Sequence, residues 1–183
     1  MLLRKKFQLY SAGLMIALLA CAPALAQLKA GAAAPSFTAP AALAGQTYNF
    51  VLAEALKKGP VVVYFYPKAF TSGCTIEAQL FAEATDKFAS LKATVIGVSG
   101  DDIETLKKFS QGPCGGKFAV AADLDRSIIK AYDAGMLIVP SMASRISYVV
   151  TPDSKILFVH SGMSPDQHVS STLAALQAWQ AKR

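Results

Sequence analysis

"VVVYFYPKAFTSGCTIEA", residues 61–78, decides the fold. Val61 to Tyr66 are all β-branched or aromatic, with no polar interruption, which predicts a strand apolar on both sides and so central in a sheet covered on both faces. The pattern then changes. From Thr75 on, Ile76, Leu80, Ala84 and Phe88 recur every four residues and predict the apolar face of a helix. Cys74 falls at the junction, where the free N–H groups and positive dipole end of a helix favour an anion. A free thiol with a pKa of about 8.5 is only about 3% ionised at pH 7, and making it mostly thiolate takes about 3.4 kcal/mol of preferential interaction. A helix dipole typically supplies about 0.3–1 kcal/mol, so a cation or further donors must supply the rest.

The flanking sequence repeats the alternation. "QTYNFVLAEAL" predicts a short strand at Thr47 to Phe50 and a helical turn ending at Gly59-Pro60, and "TVIGVSG" (94–100) predicts a second core strand. Asp101 and Asp102 read as helix-start charge for a helix with Ile103, Leu106 and Phe109 inward, which breaks at "QGPCGG" (111–116). "KFAVAAD" gives a strand and "SIIKAYDAG" a helix; "ISYVV", "TPDSK" and "ILFVH" form a β-hairpin, and "SPDQHVSSTLAALQAWQ" (164–180) a terminal helix with Leu173, Leu176 and Trp179 inward. Strands alternating with helices and closing on a hairpin define an α/β class, a central mixed β-sheet flanked by helices in an α/β/α sandwich.

Residues 1–26 have the anatomy of a cleaved signal peptide: a basic head at Arg4, Lys5 and Lys6, an apolar run from Leu14 to Leu19, and small residues ending in Ala24-Leu25-Ala26. The apolar run is too short to span a bilayer. "LLAC", ending at Cys21, is a competing lipoprotein cleavage box that would leave Cys21 as an acylated anchor; otherwise no stable membrane association is expected. The expected product is periplasmic or secreted, with residues 27–32 as an extended lead-in and 33–183 as one domain. Of the formal net charge of +6, three units lie in the leader, and the remaining cations are scattered, so no nucleic-acid surface is expected. His160 and His168 lack partners at ligand spacing, and no metal or other cofactor is expected. Export leaves Cys74 and Cys114 where disulfides persist, so a structural staple is open beside a catalytic reading.

The pattern Pro67-x-x-x-Thr71-x-x-Cys74 resembles the active-site signature of the peroxiredoxins, thiol peroxidases with a thioredoxin-like fold. The wider string "YFYPKAFTSGCTIEA" is most similar to the Q-type, or bacterioferritin-comigratory-protein-like, branch. The resemblance implies that Cys74 is the peroxidatic cysteine, oxidised by hydrogen peroxide or an organic hydroperoxide to a sulfenic acid. It implies that Thr71 hydrogen-bonds the thiolate and substrate, that Pro67 shields the sulfur, that the N–H groups of Gly73 and Cys74 receive the second peroxide oxygen, and that Arg145 completes the site. Arg145 is favoured independently: the other arginine between the leader and the C-terminal residue, Arg126, is expected at an exposed helix start, while Arg145 precedes a buried strand. Many branch members place a resolving cysteine where this chain has Gln79, which leaves Cys114 to close a Cys74–Cys114 redox disulfide. An external thiol or a second subunit are alternatives. Expected partners are the peroxide and a thiol reductant, a thioredoxin-like protein or a small thiol, acting on a monomer or homodimer. A thioredoxin-like disulfide exchange protein is disfavoured by the absence of CxxC, and a redox-sensing module on the same fold remains the non-enzymatic rival.

Overall fold

The computed structural model describes residues 27–139 and 141–183, so the predicted leader and Cys21 lie outside the described residues. The chain runs β1 (Thr38–Leu43), β2 (Gln46–Val51), α1 (Leu52–Leu56), β3 (Val61–Phe65), α2 (Ser72–Glu83), α3 (Thr85–Ser90), β4 (Thr94–Ser99), α4 (Ile103–Gln111), β5 (Ala119–Ala122), α5 (Ser127–Ala131), β6 (Ile146–Val150), β7 (Ile156–Ser161) and α6 (Pro165–Gln180). One mixed sheet takes the order β2-β1-β5-β4-β3-β6-β7. β3 is parallel to β4 and antiparallel to β6, with Phe65 opposite Val98 on one side and Ile146 on the other.

The unbroken apolar run of β3 is explained by its two coverings. Val61, Val63 and Phe65 face a core built with Phe37, Leu52, Ile129 and Tyr132, on the side of α1 and α5. Val62 and Tyr64, with Tyr66 beyond the strand end, face a second core with Phe81, Phe88, Leu106, Phe109 and Leu176, on the side of α2, α3, α4 and α6. All six residues from Val61 to Tyr66 are fully buried. The class and sheet expected from the sequence are those observed, and so is the β6–β7 hairpin, paired antiparallel from Ile146 with Ser161.

Three expectations are corrected, and one strand was missed. β1 was not legible: "TAPAAL" holds a proline and alanines, poor strand formers in isolation. It survives because β5 pairs it only at Ala41 and Ala42, which leaves Pro40 with one strand neighbour, Asn49 of β2. The helix after Cys74 starts at Ser72 and breaks at Ala84, and it buries Cys74, Glu77, Ala78 and Phe81, while Ile76 is 49% exposed. Trp179 is only half-buried and lies beneath the Arg183 guanidinium, 4.6 Å from the ring centroid. Arg126 is half-buried rather than exposed and ties a loop together, its Nε donating to Ser141 O at 2.8 Å and its Nη1 to Asp123 O at 3.0 Å.

Candidate active site

β3 ends against β4, with Tyr66 N–H donating to Val98 O at 3.2 Å, and the chain then loops over the sheet edge into α2. Asp101 holds that loop. Its Oδ2 accepts the Ala69 N–H at 2.8 Å and the Ser99 hydroxyl at 2.8 Å, so the loop entering α2 is tied to the end of β4. Of the acidic pair read as helix-start charge, Asp102 alone has that role, accepting Thr105 N–H at 2.8 Å as the α4 N-cap. Phe70 occupies a left-handed conformation with φ +63°, which is strained for an aromatic residue and marks a tightly determined turn.

Thr71 is the N-cap of α2, with extended backbone angles, and the first intrahelical bond is Thr75 N–H to Thr71 O at 2.8 Å. Ser72, Gly73 and Cys74 therefore form the first turn, whose N–H groups have no carbonyl one turn behind them. Cys74 is 2% exposed, so its sulfur sits at the positive end of the helix yet almost out of water. The Thr71 hydroxyl is turned away from a capping role and donates to Lys68 O at 2.9 Å. Pro67 is half-buried at the mouth of the loop. A surface cavity of about 630 Å³ opens on the loop's outer side, walled by Pro67, Lys68, Phe70 and Asp101 but not by Cys74 or Arg145.

Arg145, from the segment leading into β6, reaches beneath this turn. It is 6% exposed, and its Nη2 donates to Cys74 Sγ at 3.5 Å. Its Nη1 donates to Glu77 Oε2, and Glu77, one turn after Cys74, is completely buried. A Cβ at Gly73 would stand 3.0 Å from Arg145 Nη2, so the missing side chain is what lets the guanidinium approach the sulfur. Behind Glu77 stands His168 from α6, also fully buried: Nδ1 meets Ser147 Oγ at 2.8 Å and Nε2 meets Gly162 O at 3.0 Å. Burial pushes the Glu77 carboxyl up to about 8 against the pull of Arg145, and burial lowers His168 to about 4.

The sequence reading had Cys74 and Arg145, which the fold brings together from positions 71 residues apart. It missed Glu77 and dismissed His168. The signal for Glu77 was positional: Cys74, Glu77, Ala78 and Phe81 follow helical spacing, so an acid falls on the buried stripe.

Cys114 lies elsewhere in the same apolar cluster, fully buried, just beyond α4. Cys74 and Cys114 are both free thiols. The turn around Cys114 is closed by Cys114 N–H to Phe109 O at 3.2 Å and Gly116 N–H to Ser110 O at 2.8 Å, with Gly115 and Gly116 at φ +55° and +67°. Burial pushes the Cys114 thiol well above its ordinary range. Phe109 spans the two regions, stacking on Tyr66 at 5.6 Å and edge-on to Phe70 at 5.2 Å.

A thioredoxin-like sheet that presents a buried thiol at a helix start, against a buried guanidinium, defines a class of thiol-chemistry proteins. Residues 30–159 match the AhpC/TSA family model, and the chain belongs to that family. It is 32% identical over 152 residues to a chloroplastic peroxiredoxin Q of rice, Oryza sativa subsp. japonica, spanning 81% of this chain and 66% of the relative. It is 31% identical over 157 residues to that of Populus jackii, spanning 84% and 70%. Among solved structures, the peroxidoxin BcpB of Mycobacterium tuberculosis superposes with a TM-score of 0.75 at 30% identity, over 82% of this chain and 97% of that one. Peroxiredoxin Q of Xanthomonas campestris gives 0.66 at 26%, over 76% and 89%.

Proposed function

We propose that this chain is a thiol-dependent peroxidase that reduces hydrogen peroxide or organic hydroperoxides at Cys74. The observation that carries the reading is the donation from Arg145 Nη2 to Cys74 Sγ inside the first turn of α2. A permanent cation and a helix N-terminus on one sulfur favour the thiolate and leave donors facing the oxygens of an incoming peroxide. The thiolate attacks one oxygen, the O–O bond breaks, Cys74 becomes a sulfenic acid, and the leaving oxygen departs with a proton as water or alcohol. In this reading Thr71 hydrogen-bonds the thiolate and the substrate oxygen once its hydroxyl leaves Lys68 O, and Pro67 shields the sulfur.

Cys114 then attacks the sulfenic sulfur, forming a Cys74–Cys114 disulfide and releasing water, and a thiol reductant returns both thiols by supplying two electrons. Disulfide closure requires Cα atoms within about 7 Å, and a thiol kept protonated by burial is a poor nucleophile, so the Cys114 turn has to open before it reacts. Its three glycines support that motion. The reductant is a thioredoxin-like protein or a small thiol, and the working unit a monomer or homodimer. We propose too that the chain is exported, supported by the basic head, short apolar run and Ala24-Leu25-Ala26 of the leader. An N-terminus other than Gln27 on the secreted chain would contradict the cleavage site.

The test is a pair of variants followed by mass spectrometry after one equivalent of peroxide. Cys74→Ser should abolish peroxide consumption, while Cys114→Ser should still form a sulfenic acid but no internal disulfide. Equal activity in both would remove the roles assigned here. Continued turnover with added dithiol, rather than a single equivalent consumed, separates an enzyme from a sensor.

A further inference from the structure

Beneath Cys74 one permanent cation meets two acids. Arg145 shares its guanidinium between Cys74 Sγ and Glu77 Oε2, and both side chains of the Arg145–Glu77 pair are almost wholly enclosed. Two anions on that one cation would leave a net negative charge in a buried volume, which desolvation opposes. One anion and one proton balance it. The proton then has two places to sit, on Cys74 beside a Glu77 carboxylate or on Glu77 beside a Cys74 thiolate, and only the second arrangement is nucleophilic.

The surroundings of Glu77 decide between them. Oε2 is taken by Arg145, so an acid proton belongs on Oε1, a buried oxygen with no hydrogen-bond partner. His168 Nδ1 lies 3.8 Å from that oxygen. Nε2 of the same ring faces the Gly162 carbonyl, which only accepts, so in the neutral imidazole Nε2 carries the hydrogen and Nδ1 is the bare nitrogen, taking the Ser147 hydroxyl hydrogen. Burial keeps the ring neutral. On the side away from Arg145, Glu77 Oε1 therefore has no donor and faces the bare Nδ1, whose one lone pair a proton on Oε1 can take when the Ser147 hydroxyl rotates away. The other titratable groups offer no competing cation there: Tyr64 of β3 is an enclosed phenol, His160 of β7 packs on His168 with ring centroids 4.6 Å apart, and Asp166 of α6 is an acid.

We propose that His168 is a positioning residue for the reactive thiol: its bare Nδ1 gives a protonated Glu77 an acceptor within a small side-chain movement, and so biases the shared proton off Cys74. The redistribution is Cys74–SH plus Glu77–COO⁻ to Cys74–S⁻ plus Glu77–COOH, with Arg145 between them, and no electrons move. This deepens the functional reading above and rests on Cys74 being the reacting thiol.

The experiment is the pH dependence of iodoacetamide alkylation of the reduced full chain, read by mass on the Cys74 peptide. Glu77→Gln makes permanent the neutral form that the wild type already favours, so the alkylation midpoint stays close to that of the wild type. His168→Phe keeps the volume but removes the nitrogen, and the midpoint rises by about one pH unit; His168→Asn, which returns a polar atom near the Nδ1 position, recovers at least half of that rise. The infrared carbonyl band of a protonated carboxyl, present in the reduced protein at pH 7, disappears in Glu77→Gln and weakens in His168→Phe. A midpoint that falls by about a unit or more in Glu77→Gln, the response expected if the wild-type glutamate carried the charge, overturns the proposal even where His168→Phe does not fold, and an unmoved midpoint supports it. A His168→Phe chain that turns over peroxide normally with an unmoved midpoint sinks this inference alone, whereas Cys74→Ser with full activity sinks the functional reading beneath it.

Discussion

Cys74 and Cys114 sit in one apolar cluster, each at least 98% out of water, yet they are not chemically equivalent. Cys74 is placed in the first turn of a helix against a guanidinium, while Cys114 has burial as its dominant influence, and burial alone favours the neutral thiol. Identical side chains at equal depth thus have contrasting surroundings, set by the polar group within reach. In the proposed cycle the difference also sets an order of events: Cys74 reacts in place, and Cys114 gains nucleophilicity only once its turn lets water in.

The largest effect expected on this contrast comes from removing what distinguishes the two. Arg145→Met keeps much of the side-chain length but takes away the charge and the donors, and should lower the rate of Cys74 oxidation by about 10²–10³-fold, the loss typical of deleting a preorganised donor. Stopped-flow oxidation at pH 7 measures it. The same variant leaves Glu77 buried without its cation, a loss of about 3–5 kcal/mol if the carboxyl stays ionised and less if it takes up a proton. A variant that oxidises at the wild-type rate would make the two thiols equivalent after all.

Next is the link between the regions. Phe109, on α4, touches Tyr66 and Phe70 on the loop that enters α2 and lies five residues before Cys114. Phe109→Ala should cost about 3–5 kcal/mol in a urea melt because the ring is fully buried. It should also speed disulfide formation relative to sulfenic acid formation, since the turn that holds Cys114 loses its anchor. Equal slowing of both steps would show that the ring serves only the core.

How much of this was legible in the sequence follows from how local the causes are. β3, α4, α6 and the β6–β7 hairpin carry their reasons within a few residues, in periodicity, caps and turn chemistry, and each was read from the sequence. β1 could not be, because alanines and a proline form a strand there only once β2 and β5 lie alongside. Glu77 and His168 were missed for the same kind of reason. A buried acid is intelligible only beside its partner, and that partner is 68 residues away on Arg145; the buried imidazole depends on Ser147 and Gly162, which other elements supply. Cys74 was recognisable because its helix start is local, and Arg145 because few arginines were available.

The smallest expected effect is a pH dependence of stability that belongs to the Cys74 side alone. Burial raises the Glu77 carboxyl from its ordinary value of 4.5 to about 8, so between those limits the folded chain holds a proton that the unfolded chain has released, and stability falls as pH rises. His168 works oppositely: lowered from 6.5 to about 4, it is neutral when folded while the unfolded ring is charged, so its contribution grows as pH rises through that window. The two oppose each other from about pH 4.5 to 6.5, and above 6.5 only the Glu77 slope remains. With the shared proton proposed above, Cys74 gives up a proton on folding as Glu77 gains one, which flattens this slope in the wild type; in reduced Cys74→Ser, urea midpoints should therefore change little up to pH 6.5 and then decline toward pH 8, and adding Glu77→Gln should abolish the decline. Adding Cys114→Ser instead should leave it in place, because a thiol raised by burial begins to cost stability only above the ordinary thiol range. A decline that followed Cys114 instead would move the titrating centre from the charged pocket to the apolar turn and reverse the contrast between them.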